Sequence, residues 1–335
     1  MPSLYRFLTD PITHEPPQTT QHNYSNIMAE TTARSGKDPR VVDIAMLGAH
    51  DAFTSGITKA SRPNPQEIPR AAHPFLRPVK GMVARISRAQ RSSACDLARR
   101  GVRYFDARAA WADGDFYACH GLLGGKLEDD IRGLARFLGE TEGEVVVFDL
   151  QHAFLKGSGT DALFAWLERL GLFGFVRFDP TKIPLGELTY GQATRGGSGV
   201  VLLANRETYQ GCKHYDRAGA IRSNWHDTDS IDTLFERMHE EHTNLHDNRD
   251  APDWNGFRVN QAVTTPQLPK GFKRLMTGWS LLDAGSRVNA RLIRQEGLTR
   301  WLGTMPIVMV DCADSMENGF NDEIMRIIGE YNGRA

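Results

Sequence analysis

The chain has 335 residues, of which 40% are hydrophobic and 24% charged, enough to bury the core of one large domain or two small ones. Its 40 lysines and arginines nearly balance its 41 aspartates and glutamates, and a net charge of −1 argues against nucleic-acid binding. The four cysteines are scattered without a CxxC pair, so the composition also argues against a disulfide framework and a zinc site.

The first 40 residues are polar and contain a Pro-Pro pair, and we expect them to form an arm of irregular turns. They lack the charged start and apolar run of a signal peptide, and no segment is as long and apolar as a membrane span. The sequence therefore predicts a soluble monomer, cytoplasmic or secreted after removal of a leader. Residues 41–335 are expected to form a single domain.

The first predicted strand covers residues 41–47 and leads directly to His50 and Asp51. Residues 53–80 follow with five prolines, which predicts a long surface loop and excludes a helix or a central strand. Near-helical spacing of apolar residues then predicts a helix over 86–100.

The next segment, GVRYFDARAAWADGDFYACHG, predicts a hairpin. Residues 102–110 and 115–120 are rich in valine and aromatic residues and flank a turn-forming Asp-Gly pair. Asp106 and Arg108 are two residues apart on the first strand and therefore point to the same face. His120 ends the second strand, so the hairpin gathers a carboxylate, a guanidinium and an imidazole.

Helical and strand patterns alternate through the rest of the chain. Helices are predicted over 127–138, 161–170, 231–241 and 283–295. Strands are predicted over 144–152, 199–207, 257–265 and 306–314. The alternation predicts an α/β fold of the TIM type, a (β/α) barrel that is distorted or incompletely closed. A doubly wound open sheet is the alternative, but no GxGxxG follows the first strand.

In a barrel, polar side chains at the carboxyl ends of different strands meet in one cleft. The candidates are His50, Asp51, Asp106, Arg108, His120, Gln151, Arg206 and Asp311. Two histidines can supply a base for an attacking hydroxyl and an acid for a leaving alkoxide, while an arginine neutralises a phosphate. The pattern indicates cleavage of a phosphodiester without a metal. A buried Asp106–Arg108 ion pair with no catalytic role is the alternative.

The segments LGAHDAF, ISRAQ, LARRGVRYFDAR and CHG resemble, in order and spacing, the signatures of the phosphatidylinositol-specific phospholipase C X-domain family in its bacterial-type form. Four later segments resemble it more weakly: VVVFDLQH, SNWHD, FRVNQAVTTP and IVMVDCAD. The resemblance implies cleavage of phosphatidylinositol to diacylglycerol and inositol 1,2-cyclic phosphate, without a cofactor.

The resemblance also implies a role for each principal residue. His50 would be the general base, oriented by Asp311, and His120 the general acid, assisted by Asp51. Arg108 would bind the phosphate; calcium-dependent members carry a carboxylate there, so the arginine implies a metal-free site. The residues expected to bind the substrate are Asp106, Gln151, Arg206 and Trp225.

Two other functions stay open on the sequence. One is a phosphodiesterase acting on a soluble inositol or glycerol phosphodiester, and the other is a catalytically silent barrel that binds a headgroup. Ala49 and His226 depart from the family's pattern, which leaves the substrate's identity open. A lipid substrate requires an exposed apolar rim and peripheral contact with a membrane surface. The candidates for that rim are Phe53, Phe75, Leu76, Val79 and Trp254.

Overall fold

The computed structural model describes residues 22–205, 213–247, 254–267 and 278–334. Within them the strands are β1 Met46–Ala49, β2 Val102–Ala112, β3 Asp115–His120, β4 Leu122–Lys126, β5 Val145–Phe154, β6 Gly199–Ala204, β7 Tyr215–Asp216, β8 Ile221–Ser223, β9 Phe257–Ala262 and β10 Ile307–Val310. They form one sheet in the order β7-β6-β5-β2-β1-β10-β9-β8, and all these neighbours are parallel. Strands β3 and β4 extend from β2 as antiparallel hairpins.

The helices of the described residues connect the strands and cover the outside of the sheet. They are α1 Ile27–Ser35, α2 His73–Leu76, α3 Lys80–Ser87, α4 Ala94–Arg99, α5 Leu127–Glu140, α6 Thr160–Arg169, α7 Tyr190–Ala193, α8 Arg217–Ala220, α9 Ile231–Asp247, α10 Leu281–Leu292, α11 Leu298–Thr304 and α12 Phe320–Asn332. The apolar faces of the longer helices pack on the outward side chains of the strands and form the larger core.

A second core fills the inside of the curled sheet. Val145 and Val147 of β5 point into it, and Asp149 and Gln151 follow on the same side because side chains alternate along a strand. Among the described strands, β7 and β8 pair with only one neighbour each, so the sheet is a barrel that is not fully closed. The predicted TIM-type fold is confirmed. No helix of the described residues is both long and apolar enough to cross a bilayer.

The first predicted strand is displaced along the chain. Residues 41–43 form a turn of 3₁₀ helix, and β1 begins only at Met46. Val41 and Val42 are buried against the lower end of the inner core, and the Val41 N–H donates to the Leu188 carbonyl. Residues 41–43 are therefore apolar because they are buried against the inner core, and not because they form part of the strand.

The predicted helix over 86–100 is wrong. Helix α3 ends at Ser87 and α4 begins at Ala94, with a non-helical link between them. Ala89 and Gln90 in this link are fully buried, and the Gln90 amide bonds main-chain atoms of other segments. Tertiary hydrogen bonds thus override the helical spacing.

The proline-rich segment is more ordered than a surface loop. It contains helical turns at 54–56, 70–72 and 77–79 in addition to α2. Its polar side chains tie it to the hairpin: Glu67 accepts from the Gly121 N–H at 3.0 Å and from Asn64 Nδ2 at 2.7 Å. The residue after His120 is therefore held by this segment.

The described part of the N-terminal arm contains a helix where the composition predicts irregular turns. Helix α1 packs against α12, and the Glu144 carboxylate accepts from the N–H groups of Met28 and Ala29. Arg103, fully buried, forms a 2.6 Å ion pair with the same carboxylate. The boundary between arm and domain at residue 40 stays a prediction.

Candidate active site

A cleft of about 500 Å³ opens at the carboxyl ends of the central strands. It is lined by His50, Ile86, Arg108, His120, Gln151, His152, Trp225, Gln261, Thr264, Thr265, Pro266 and Leu281. Parallel strands all end at this edge of the sheet, which is why residues far apart in sequence meet here.

His50 follows β1 and is held by a carboxylate from the neighbouring last strand. Its Nδ1 lies 2.8 Å from Oδ1 of the fully buried Asp311. Its Nε2 lies 3.4 Å from Asp51 Oδ2 and 4.0 Å from Asp106 Oδ2. Burial by itself lowers the pKa of His50, but Asp51, Asp311 and Asp106 outweigh it and raise the pKa to about 9. The bond at Nδ1 leaves Nε2 as the nitrogen available to a substrate.

Asp51 occupies the centre of the constellation. Its φ of 43° lies in the left-handed region, where a non-glycine residue is strained, and this turns the chain sharply after His50. Its carboxylate is 3.2 Å from His120 Nδ1 and 2.6 Å from Arg108 Nε. Burial raises the pKa of Asp51, but His120, His50 and Arg108 together lower it to about 2. Asp51 is thus an anion surrounded by three cations or potential cations.

His120 ends β3 beside the cleft. Its Nδ1 lies 3.2 Å from both the Asp51 carboxylate and the carbonyl of Ser87, at the end of α3. The two imidazole rings of His50 and His120 lie 6.4 Å apart, centre to centre. Paired acid and base catalysis requires two such groups close enough for each to reach one substrate within hydrogen-bond distance.

Arg108 lies on β2 and contacts the same Asp51 carboxylate as the two histidines. Its Nε also donates to Gln151 Oε1 at 3.1 Å, and its side chain is 19% exposed. Burial lowers the pKa of Arg108, but Asp51 and Asp106 outweigh this and raise it, so the guanidinium is permanently charged. Arg108 is the fixed positive charge of the cleft.

Of the four residues expected to bind the substrate, the structure places two in the lining of the cleft. Gln151 and Trp225 line the cleft, and Trp225 is 60% exposed. Asp106 does not reach it: its carboxylate is buried below the His50–Asp51 turn and accepts from the Asp51 N–H at 3.1 Å. Asp106 therefore supports the turn rather than a substrate. Arg206 lies outside the described residues.

Two residues of the site were not predicted from the sequence. Gln90 joins the ends of β1 and β10 by donating to the carbonyls of His50 at 2.8 Å and Val310 at 3.0 Å. His152 stands directly opposite Arg108 because the β2–β5 register shifts after Ala107. In a regular strand, side chains alternate between the two faces, so His152 would have pointed away from the cleft that Gln151 lines. A β-bulge leaves no clear signal in a single sequence.

Gln90 did carry a signal, because it lies inside the ISRAQ segment that resembles the X-domain family. Asp311 is held similarly from behind by Asn289, whose Nδ2 donates to the carbonyls of Asp311 and Cys312 at 3.0 Å each. Gly285 permits this close approach, since a Cβ there would lie 2.6 Å from Asp311 Cβ. The supporting contacts depend on tertiary structure and are not readable from local pattern.

His50, Asp51 and Asp106 offer donor atoms within 4.8 Å of one another, a spacing that suits a metal ion. The electrostatics of the same site oppose a cation, because the Arg108 guanidinium already contacts the Asp51 carboxylate at 2.6 Å. A divalent ion there would have to displace Arg108 or share its anion. The Asp51 carboxylate is therefore better suited to its present partners, Arg108 and the two histidines, than to a metal ion.

No family model matches the sequence. The chain is 30% identical over 119 residues to human PI-PLC X domain-containing protein 2, covering 33% of this chain and 38% of the human protein. It is 27% identical over 122 residues to mouse PI-PLC X domain-containing protein 3, covering 34% and 38%. The aligned segment therefore spans well under half of the length of the curated relatives.

Similarity to solved structures extends over almost the whole chain. Phosphatidylinositol-specific phospholipase C from Staphylococcus aureus matches with a TM-score of 0.60 and 16% identity, covering 92% of this chain and 98% of that one. The enzyme of the same name from Listeria monocytogenes matches with a TM-score of 0.57 and 12% identity, covering 91% and 98%. The fold is shared, and the resemblance to the X-domain family is confirmed.

Proposed function

We propose that this relative of the X-domain family is a phosphatidylinositol-specific phospholipase C that works without a metal. The observation that carries the proposal is the position of Asp51, whose carboxylate contacts Arg108 and both His50 and His120 at 2.6–3.4 Å. A barrel that only binds a headgroup does not need two imidazoles and a guanidinium around one buried carboxylate.

His50 takes the proton from the inositol 2-hydroxyl through Nε2, while Asp311 holds its other nitrogen. The hydroxyl oxygen forms a bond to phosphorus, and the bond from phosphorus to the glycerol oxygen breaks. His120 gives its proton to that oxygen, so the products are diacylglycerol and inositol 1,2-cyclic phosphate. Since the attacking group belongs to the substrate, the reaction gains the advantage of proximity.

Arg108 stabilises the charge that develops on the phosphate oxygens. Because it is mostly shielded from solvent, its charge acts on the phosphate through a medium less polarisable than water. Its pairing with Asp51 and Gln151 fixes the guanidinium plane before substrate arrives. Gln151 and His152 then border the bound phosphate or headgroup from β5.

A membrane-bound substrate is supported by the surface of residues 70–80, which precede the cleft-lining Ile86 in the chain. Phe75 in α2 is 80% exposed, and residues 70–80 contain Arg70, Arg77 and Lys80 but no acidic residue. An exposed aromatic side chain flanked by basic residues suits an anionic lipid surface. The rim is smaller than predicted, because Phe53 packs in the core against Phe105 and Phe148.

Cleavage of a soluble inositol or glycerol phosphodiester is the second candidate, and the burial of Phe53 is the observation that favours it. The chemistry of the cleft would be unchanged. Only the contact with a lipid surface would be absent.

Phosphorus NMR of the purified protein with phosphatidylinositol micelles in excess EDTA tests the proposal. The expected result is the resonance of a five-membered cyclic phosphate. Signal only after calcium is added would overturn the metal-free mechanism. Signal only with glycerophosphoinositol would move the proposal to the soluble substrate, and no signal with either diester would refute catalysis.

A further inference from the structure

Helix α9 carries two histidines one turn apart near its end, His242 and His246, which we call the α9 histidine pair. Helical residues four positions apart lie on the same face, and the two rings are 6.2 Å apart, centre to centre. Neither ring lines the catalytic cleft. The pair is therefore a group of imidazoles that the proposed chemistry does not use.

His242 is 7% exposed and is held by the neighbouring helix α11. Its Nδ1 lies 2.5 Å from Thr304 Oγ1, and the Thr304 hydroxyl donates to the Trp301 carbonyl at 3.1 Å. A hydroxyl has only one hydrogen, so Thr304 must accept the hydrogen bond from Nδ1 of His242. In the neutral ring the proton is therefore on Nδ1, and Nε2 keeps its lone pair.

His246 has the same arrangement. Its Nδ1 lies 3.1 Å from Oδ1 of Asp247, and an ionised carboxylate can only accept. Within the described residues, Nε2 of neither ring has a hydrogen-bond partner. Histidines that bind metals almost always donate their other N–H group to an acceptor, which orients the ring and raises its basicity. Both rings already make this supporting hydrogen bond.

The charges around the pair permit a cation. Burial lowers the pKa of His242, and His246, His239 and Arg300 lower it further, so the ring stays in the neutral form that a metal requires. Arg300 is the charge that opposes a metal ion, but it is exposed and therefore screened by water and salt. Asp247 acts in the opposite direction.

The spacing of the pair is that of a known kind of metal site. Two histidines four positions apart on one helix bind zinc in the helical motif of zinc proteases. Metal–nitrogen bonds of about 2.0–2.1 Å place two such rings roughly 5–6 Å apart, so a small rotation of the exposed His246 is enough. Thr243 follows the first histidine, where the protease motif has a glutamate. A bound ion would therefore have no general base beside it.

We propose that the α9 histidine pair binds one divalent transition-metal ion such as Zn²⁺ through both Nε2 atoms, with water as the remaining ligands. Imidazole favours Zn²⁺, Ni²⁺ and Cu²⁺ over Ca²⁺ and Mg²⁺. Because the ligands are histidines, the scattered cysteines do not oppose the site. The ion would fix the end of α9 to α11 through His242. The inference does not depend on the proposed function, and catalytic assays in EDTA leave this site empty.

Titration calorimetry with Zn²⁺ at neutral pH, on untagged protein dialysed against EDTA and then buffer, measures the binding. We expect one saturable site whose affinity falls about tenfold or more in His246→Ala, which removes one of the two ligands. In His242→Asn the side-chain amide can still donate to Thr304, but the ligand atom Nε2 is gone. His239→Ala is the matched control, since His239 is exposed on α9 and belongs to neither position of the pair.

The supporting hydrogen bond has its own test. Thr304→Val keeps both ligands but removes the acceptor of His242 Nδ1, and should weaken Zn²⁺ binding about tenfold. Electron paramagnetic resonance with bound Cu²⁺ should show coupling to two imidazole nitrogens in the wild type and in Thr304→Val, and to one in His246→Ala. Zn²⁺ should also raise the Tm of the wild type but not that of His246→Ala.

Four results would overturn the inference. The first is no saturable binding at millimolar Zn²⁺. The second is binding that His246→Ala and His242→Asn leave unchanged, which would mean an adventitious site elsewhere on the chain. The third is binding that is lost in His50→Ala instead, which would place the ion on the donor atoms of the cleft. The fourth is equal Zn²⁺ affinity of wild type and Thr304→Val, which would show that the ring of His242 is not preset.

Discussion

Oδ1 of Asp311 lies 2.8 Å from Nδ1 of His50, and the two residues come from the last and the first strands of the sheet. This contact directs His50 Nε2 toward the cleft and contributes to raising its pKa to about 9. A carboxylate in this position sets both the tautomer and the basicity of an imidazole.

Asp311→Asn is expected to shift the pH dependence of activity. His50 acts as a base only when its imidazole is neutral, and its pKa of about 9 keeps the ring protonated at lower pH. In wild type, the limb of kcat/KM that depends on His50 should therefore rise with pH toward about pH 9. Without the Asp311 charge the His50 pKa falls, so this rise should occur at lower pH, with a maximum lower by roughly a hundredfold. An unchanged position of this limb would separate Asp311 from the titration of His50.

His50→Ala and His120→Ala should each lower kcat by about a hundredfold to ten-thousandfold, because each removes one of the two proton transfers. The measurement is cyclic phosphate formation followed by phosphorus NMR, with circular dichroism to check the fold. His246→Ala is the control, since His246 is 63% exposed on α9 and outside the cleft. Substantial activity in either cleft variant would refute the two-histidine mechanism.

Arg108→Asp should lower activity sharply and make the remaining activity dependent on calcium. The substitution removes the cation at Asp51 and adds a carboxylate next to the donor atoms of His50, Asp51 and Asp106. We expect loss of activity in EDTA and partial recovery with millimolar calcium, while wild type is indifferent to both. Full activity of the variant in EDTA would remove Arg108 from the site.

The stability of the fold should depend on His50 in a pH-dependent way. A cation whose pKa is raised on folding stabilises fully below its unfolded value, near 6.5, and this stabilisation is lost as pH rises through about 9. Urea unfolding should therefore show His50→Ala to be more destabilising at about pH 6 than at about pH 10. An equal effect at both would mean that the carboxylates do not stabilise the imidazolium.

Phe75 and Phe53 make a matched pair for testing lipid contact. Phe75→Ser should reduce activity on phosphatidylinositol vesicles about tenfold, since inserting a phenylalanine into an apolar phase is worth roughly 1.5–3 kcal/mol. Activity on a soluble short-chain substrate should not change. Phe53→Ala, at 2% exposure, should instead destabilise the fold by about 3–5 kcal/mol. Equal vesicle activity of wild type and Phe75→Ser would argue against insertion of α2.

The sequence was most informative where one general rule applied. Polar residues following apolar strands meet at the carboxyl edge of a parallel sheet, and this rule predicted that His50, Arg108, His120 and Asp311 lie close together, which the structure shows through their contacts with Asp51 and with one another. Helix 127–138 was also predicted nearly to its ends, because its apolar stripe is regular and its packing does not oppose it.

The errors arose where long-range contacts decide the conformation. Residues 86–100 have helical spacing, but Gln90 gains more by bonding the ends of two strands than by continuing a helix. Phe53 was expected at the rim because it lies next to a loop, yet the strained turn at Asp51 directs the chain back into the core. The register shift that brings His152 opposite Arg108 is a property of the strand pair, not of either sequence.

The pairing of β1 with β10 also determines when the candidate site can be completed during synthesis of the chain. His50 and Asp311 are 261 positions apart, and the Gln90 amide bonds main-chain atoms at both strand ends. When the hairpin with Arg108 and His120 has been synthesised, four of the five principal side chains are present, but β1 still lacks its second neighbour, β10. The contact between His50 and Asp311 can therefore form only after the end of the barrel has been synthesised.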